Sequence, residues 1–170
     1  MEELDATAND TGDLTRIVDI VESSVDALTN FRSRKAKHLA GWWMAAHGGR
    51  MPTRAMFDIV DHRPVVANLF LVEVLPDGEF LFKVLGEDVV QIIGRNRTGE
   101  TVSRLNASEY GHELHDYYQS IVTGRACRKC TGSLEFSIGG MRGFESVDCP
   151  LADDRGEKVV AIIGLMDVVR

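Results

Sequence analysis

The chain has 170 residues, 44% hydrophobic and 26% charged, enough apolar content for one globular domain with a modest extension. Lys and Arg number 19 against 26 Asp and Glu, a formal charge of -7; that balance excludes the basic groove that nucleic acid requires and a docking face for anionic membranes. Three cysteines, an odd number, do not read as a disulfide framework.

Met1 to Asp13 is acidic and polar, lacks periodicity and has no signal-peptide core, so it reads as a disordered tail. Leu14, Val18, Val21, Val25 and Leu28 follow at steps of four and three, the spacing of one helical stripe. The stripe predicts an amphipathic helix, with Asp13 or Thr15 as cap, that folds onto its own domain or pairs with a second copy. Arg32 and Lys35 end the seam near Phe31. A second helical unit carries Leu39, Trp42 and Trp43 and is broken by Gly48-Gly49, so residues 14–49 read as a helical extension and 50–170 as the main domain. Adjacent tryptophans on a helix point about 100° apart, so one is expected in the core and the other, Trp42, against a partner.

Arg50 to Pro64 reads as a connector with one helical turn around Ala55 to Val60. Val65 to Val74 is β-rich and apolar on both parities, Pro76-Asp77-Gly78 is a turn signature, and Glu79 to Leu85 completes a hairpin. Glu87 to Ile93 reads as a short helix closed by Gly94, and Ser108 to Val122 as a longer one capped by Ser108. Tyr110, Leu114, Tyr117, Tyr118 and Ile121 share a face of the longer helix. Three strands close the chain: Gly132 to Ile138, Met141 to Leu151, and Val159 to Val169. The first and last strands are apolar on both faces, as strands covered on both sides are. The expected fold is α+β: a five-stranded antiparallel sheet of order 2-1-5-4-3, with short helices on one face and the N-terminal helix, or a partner subunit, over part of the other.

That element order resembles the PAS fold, and the motifs sharpen the likeness. Leu39 to Asp61, Leu69 to Val74 and Phe80 to Glu100 are similar to a PAS subfamily of alphaproteobacteria. Members show a Trp-containing helix, a Gly-Arg-x-Met-Pro-x-Arg connector, an Asp, and a Leu-x-Gly stretch ending in Gly-Arg-x-x-Thr-Gly. Here that stretch is Leu85, Gly86, Gly94, Arg95, Thr98 and Gly99, and Phe144 to Leu151 resembles the fourth-strand pattern. The likeness runs from about Leu39 to Val168. It implies a bacterial signalling module, often stand-alone, with no enzymatic residues. The lack of a signal-peptide core or a membrane-spanning apolar run, with the odd cysteine count, makes a cytoplasmic protein the expectation.

Cys127 and Cys130 form a CxxC beside basic residues, a spacing used by redox pairs and half-sites for metals; Cys149, His112 and His115 have no motif spacing to it. The pair reads as incidental surface thiols at the start of the third strand. On the helical wheel His112 faces water and His115 flanks the apolar stripe, a poor geometry for a haem ligand. His38, His47 and His62 read as surface or connector residues. All three cysteines follow the helices between strands 2 and 3, which argues against flavin-adduct photochemistry. No nucleophile elbow, phosphate loop or zinc helix is present. No catalytic residue, metal or cofactor is therefore identified. A pocket between sheet and helices, if formed, is expected to be lined by Phe82, Val84, Val89, Ile93, Leu114, Tyr118, Leu134 and Phe136.

The leading expectation is a non-catalytic signalling domain acting by protein contact. It would contact a second copy, or a partner such as a histidine kinase, through Leu14, Val18, Val21, Val25, Leu28 and Trp42. The alternative is a small-molecule or cofactor sensor. Neither nucleic acid nor membrane is an expected partner.

Overall fold

Doubly apolar strands need cover on both faces, and this chain supplies it with helices on either side of a single sheet. The computed structural model describes residues 14–105 and 109–170. In chain order it forms β1 (Leu14–Ser24), α1 (Arg34–Ala46), 3-10 segments at Arg54–Met56 and Ile59–Asn68, β2 (Leu69–Val74) and β3 (Phe80–Leu85). Then follow α2 (Glu87–Ile93), β4 (Thr101–Val102), α3 (Glu109–Gly124), β5 (Arg128–Phe136), β6 (Met141–Ala152) and β7 (Val159–Val168). The seven strands stand in the order β1-β5-β6-β7-β2-β3-β4, all antiparallel. The five expected strands occupy their expected order within it. The expected edges do not: β1 flanks β5 and β4 flanks β3. The first expected strand begins at Leu69, because Val65 to Asn68 is wound into the 3-10 segment.

The largest correction concerns Leu14 to Leu28, which is not a helix. Leu14–Ser24 is a strand paired with β5, and no helical stripe exists there to form a pairing seam. Its register slips between Leu14 and Arg16 and again between Val18 and Val21, with Asp19 at φ 54°. Each bulge inserts one residue and resets the alternation. Apolar residues thus recur at three and four rather than two, which imitates a helix. Leu14 and Ile17 pack on the inner core, Val25 and Leu28 on the outer one, and Val21 is exposed. The β-branched content of Ile17, Val18, Ile20 and Val21 suits a strand. The tail 1–13 and the expected cap Ser108 lie outside the described residues.

On the outer face α1 presents Ala36, Leu39, Ala40 and Trp43 to the sheet, and its alanines allow a close approach. Its N-terminal donors end on a buried carboxylate: Glu145 of β6 accepts from the backbone N–H of Ser33 (2.9 Å) and Arg32 (3.2 Å), with Lys129 Nζ at 3.7 Å. Ser33 caps the helix, accepting from Ala36 N–H at 3.0 Å and donating to Asp167 at 2.6 Å. Trp43 is buried and donates Nε1–H to the Pro150 carbonyl at 2.8 Å. Half-buried Trp42 meets Phe57 and His62 edge-on at 5.2 and 5.3 Å. On the inner face α2 and α3 bury Val89, Ile92, Tyr117, Tyr118 and Ile121 against β2, β3, β6 and β7.

Candidate functional site

Alternation along β6 sends Phe144, Ser146 and Asp148 to the inner face, and Glu145, Val147, Cys149 and Leu151 to the outer one. Where α2 and α3 cross the inner face they leave a cavity of about 100 Å³. Its walls are mainly aromatic and aliphatic, among them Phe70, Phe82, Val89, Leu114, Tyr118 and Met166. One close approach shapes it: a Cβ on Gly164 of β7 would lie 2.1 Å from the Phe70 ring, so glycine is needed for that ring to rest on the strand.

A polar cluster enters this apolar space from β6 and α3. Asp148 is 1% exposed, and its Oδ2 accepts from the Tyr117 hydroxyl at 2.6 Å and from Ser146 Oγ at 3.3 Å. Its Oδ1, also buried, makes no hydrogen bond among the described residues. Burial pushes the Asp148 carboxyl up to about 7, against the opposing pull of the two hydroxyl donors. Tyr117 is raised well above the usual phenol range, first by burial and then by the neighbouring Asp148 charge. Burial, and after it Asp148 and Glu22, push the Cys130 thiol up to about 12. Arg128 stands directly opposite Asp148 in the β5–β6 register, but its Nη2 turns to Glu22 of β1 at 3.8 Å. At the cavity wall Arg97 lays its guanidinium 5.1 Å over the Phe82 ring and donates Nε–H to Glu100 at 2.9 Å.

Of the residues expected to line a pocket, Phe82, Val89, Ile93, Leu114 and Tyr118 form its walls. Leu134 and Phe136 are buried in the same core without reaching the cavity. Val84 lies on the opposite face, 51% exposed, in a groove of about 620 Å³ that also includes Phe57, Ile59 and Val66. Tyr117, Ser146 and Asp148 were missed. Their signal was an acid in the middle of an apolar strand, on the same parity as Phe144, where an ionised side chain has no reason to be unless it is partnered.

Residues three apart on a strand point to opposite faces, so the CxxC is not a dithiol. Cys127 is buried on the outer side, paired as a disulfide with Cys149, while half-buried Cys130 faces the inner cavity. This corrects both the surface placement of the pair and the reading without a disulfide. His112 is exposed. His115 is buried against the Phe80 ring, its Nε2 3.3 Å from the Gly78 carbonyl, and does not line the cavity. His62 is not a surface residue: it is 1% exposed, stacked on Phe57, and its Nδ1 lies 3.1 Å from His38 Nε2. Burial, and then the His38 charge, lower its pKa. Among the described residues no three His, Cys, Asp or Glu side chains cluster to hold a metal, and no helix is long and apolar enough to cross a membrane.

Several solved structures are similar in outline. A light-oxygen-voltage domain from work on a flavin analogue aligns at TM-score 0.49 and 14% identity, over 68% of this chain and 88% of that chain. The blue-light photoreceptor Aureochrome1 LOV domain, in its dark state, aligns at 0.48 and 15%, over 67% and 84%. A fungal LOV domain photoreceptor aligns at 0.46 and 15%, over 75% and 88%. These similarities are too distant to carry an argument about ligand or chemistry. No curated protein matches. The model of the family described as PAS domain matches residues 31–167, a span that takes in α1, every strand from β2 to β6 and all of β7 but its last residue. On that match, with the sheet order described above, the chain belongs to the PAS domain family.

Proposed function

We propose that this signalling domain is a small-molecule sensor whose ligand occupies the cavity between the inner sheet face and helices α2 and α3. The supporting observation is the Asp148 carboxyl, fully buried, with one oxygen held by two hydroxyls and the other unpaired at an apolar cavity. A buried carboxyl in that state costs folding free energy, and a ligand that satisfies Oδ1 offsets the cost. The site works by binding and performs no reaction: Asp148 and Tyr117 bond to each other with no activated nucleophile beside them. Occupation is expected to shift contacts on the opposite side of β6, where Glu145 anchors the start of α1. Native mass spectrometry of the full chain as purified tests the reading. A small mass released on denaturation supports it; an apo mass with no thermal shift across a metabolite library refutes it.

A second reading, signalling by protein contact, is favoured by the outer groove, around which Met56, Ile59, Val60, Val66 and Val84 are 39–54% exposed. In this reading the partner is a second copy or a signalling protein, and it contacts the groove rather than a helical seam. Light scattering at tens of micromolar tests the homodimer form, with Val84→Lys as the perturbation. A strict monomer discards it.

A further inference from the structure

The cavity's polar chemistry narrows the ligand class, on the premise that the pocket reading above holds. We propose that it binds a compact organic monocation, an ammonium or amidinium borne on a single ring or short apolar chain, with an N–H donated to Asp148 Oδ1.

Three observations lead there. The first is the missing countercharge. Asp148 is fully buried, yet its hydrogen-bond partners are the neutral hydroxyls of Tyr117 and Ser146, and among the described residues no lysine or arginine pairs with it. A buried carboxylate favours a paired cation over a neutral donor, because only the cation offsets desolvation of the charge. Arg128, opposite Asp148 in the register, turns its Nη2 to Glu22 and leaves its buried Nε unbonded, while Arg97 donates to Glu100. The second is the wall itself, which is lined by the aromatic side chains of Phe70, Phe82, Tyr117 and Phe144, and aromatic rings are the side chains that attract a cation. The third is size. The cavity of about 100 Å³ is smaller than the roughly 150 Å³ apolar cavity that accepts benzene. It adjoins a second hollow of about 50 Å³ that shares Ile17, Leu114, Tyr117 and Phe144 with it. Together they come to about the volume that accepts one ring.

Charge selection has a pH signature. The groups facing Asp148 are Tyr117 from α3, Cys130 and Arg128 from β5, and Arg97 from the segment before β4, with Glu22 of β1 behind Arg128. Tyr117 and Cys130 titrate far above neutrality. Asp148 is therefore the group expected to change charge between about pH 5 and pH 8. Cation binding requires the carboxylate, so affinity rises by up to roughly tenfold per pH unit below the carboxyl's own titration and levels off above it.

The test is calorimetric titration and thermal shift on the full chain with three probes of one shape: benzamidinium, benzamide and benzoate. Benzamidinium alone is expected to bind, more tightly at pH 8 than at pH 5. Asp148→Asn is expected to weaken it by about tenfold or more. Tyr117→Phe guards against a folding defect in that variant. It removes a donor that favours the carboxylate, so binding should weaken at neutral pH and recover at higher pH. Equal binding of benzamide and benzamidinium, or a response that does not depend on pH, overturns the monocation class and leaves the pocket reading standing. No response to any probe overturns it as well, while native mass spectrometry still decides whether the pocket is occupied.

Discussion

Replacing Asp148 with asparagine should invert the usual expectation for a buried polar residue and leave the protein at least as stable as wild type at alkaline pH. A carboxyl that titrates at about 7 when folded and at its ordinary 3.8 when exposed binds more protons in the native state between those values. Stability must then fall as pH rises from about 4 to about 7, and stay level above. Each tenfold change in proton affinity is worth about 1.4 kcal/mol, so the full effect is about 4 kcal/mol, an upper bound. Asparagine keeps the shape, accepts from Tyr117, and never ionises. It adds an amide donor whose burial costs about 1–3 kcal/mol. The assay is urea denaturation of wild type and Asp148→Asn from pH 4.5 to pH 8, on protein refolded without small molecules. The variant should be the less stable at the acid end and equal or more stable at pH 8, the difference growing by roughly 1 kcal/mol per pH unit up to neutrality. His62, whose lowered pKa makes stability fall as pH drops below its ordinary 6.5, is present in both proteins and cancels. Parallel pH curves for the two proteins would refute the reasoning, because the carboxyl would then have no abnormal proton affinity in the folded state.

Three further outcomes follow from named contacts. Glu145→Ala leaves the backbone donors of Arg32 and Ser33 unmatched and removes the carboxylate beside the Lys129 ammonium, which keeps its bond to the Asn30 carbonyl; it should cost about 3–5 kcal/mol in urea denaturation and strip hydrogen-exchange protection from α1 first. Gly164→Ala drives a methyl into the Phe70 ring and should cost about 1–3 kcal/mol; because Phe70 lines the cavity, the thermal shift produced by a bound ligand should also shrink. Unfolded without reductant, the chain should show one titratable thiol, Cys130, and three after reduction. In the native state Cys130 should alkylate slowly, since burial holds its thiol at about 12, and reducing the Cys127–Cys149 link across 22 residues should lower stability by about 3 kcal/mol.

Local signals carried much of the architecture. Turn residues, glycine stops and the apolar patterning of Phe80 to Leu85, Val159 to Val168 and α2 sufficed for five of the seven strands, for α2 and for the relative order of those five strands, because each reports backbone preference and burial within a few residues. Those signals failed where a neighbour distant in sequence sets the conformation. Leu14 to Ser24 is a strand only because β5 is there to pair with it, and its two bulges erased the period that would have announced it. Cys127 meets Cys149 rather than Cys130 because cross-strand register, not sequence spacing, decides which thiols face each other. For the site, Phe82, Val89, Ile93, Leu114 and Tyr118 were legible as apolar residues on faces that must be covered. Val84 was misassigned by one step of parity, since the register slip between Leu71 and Val72 accompanies its turn to the outer face. Asp148 needed the tertiary structure outright. Composition shows only an acid in an apolar strand; its partner hydroxyl arrives from α3, 31 residues earlier, and the burial that raises its proton affinity exists only once both helices close over the sheet.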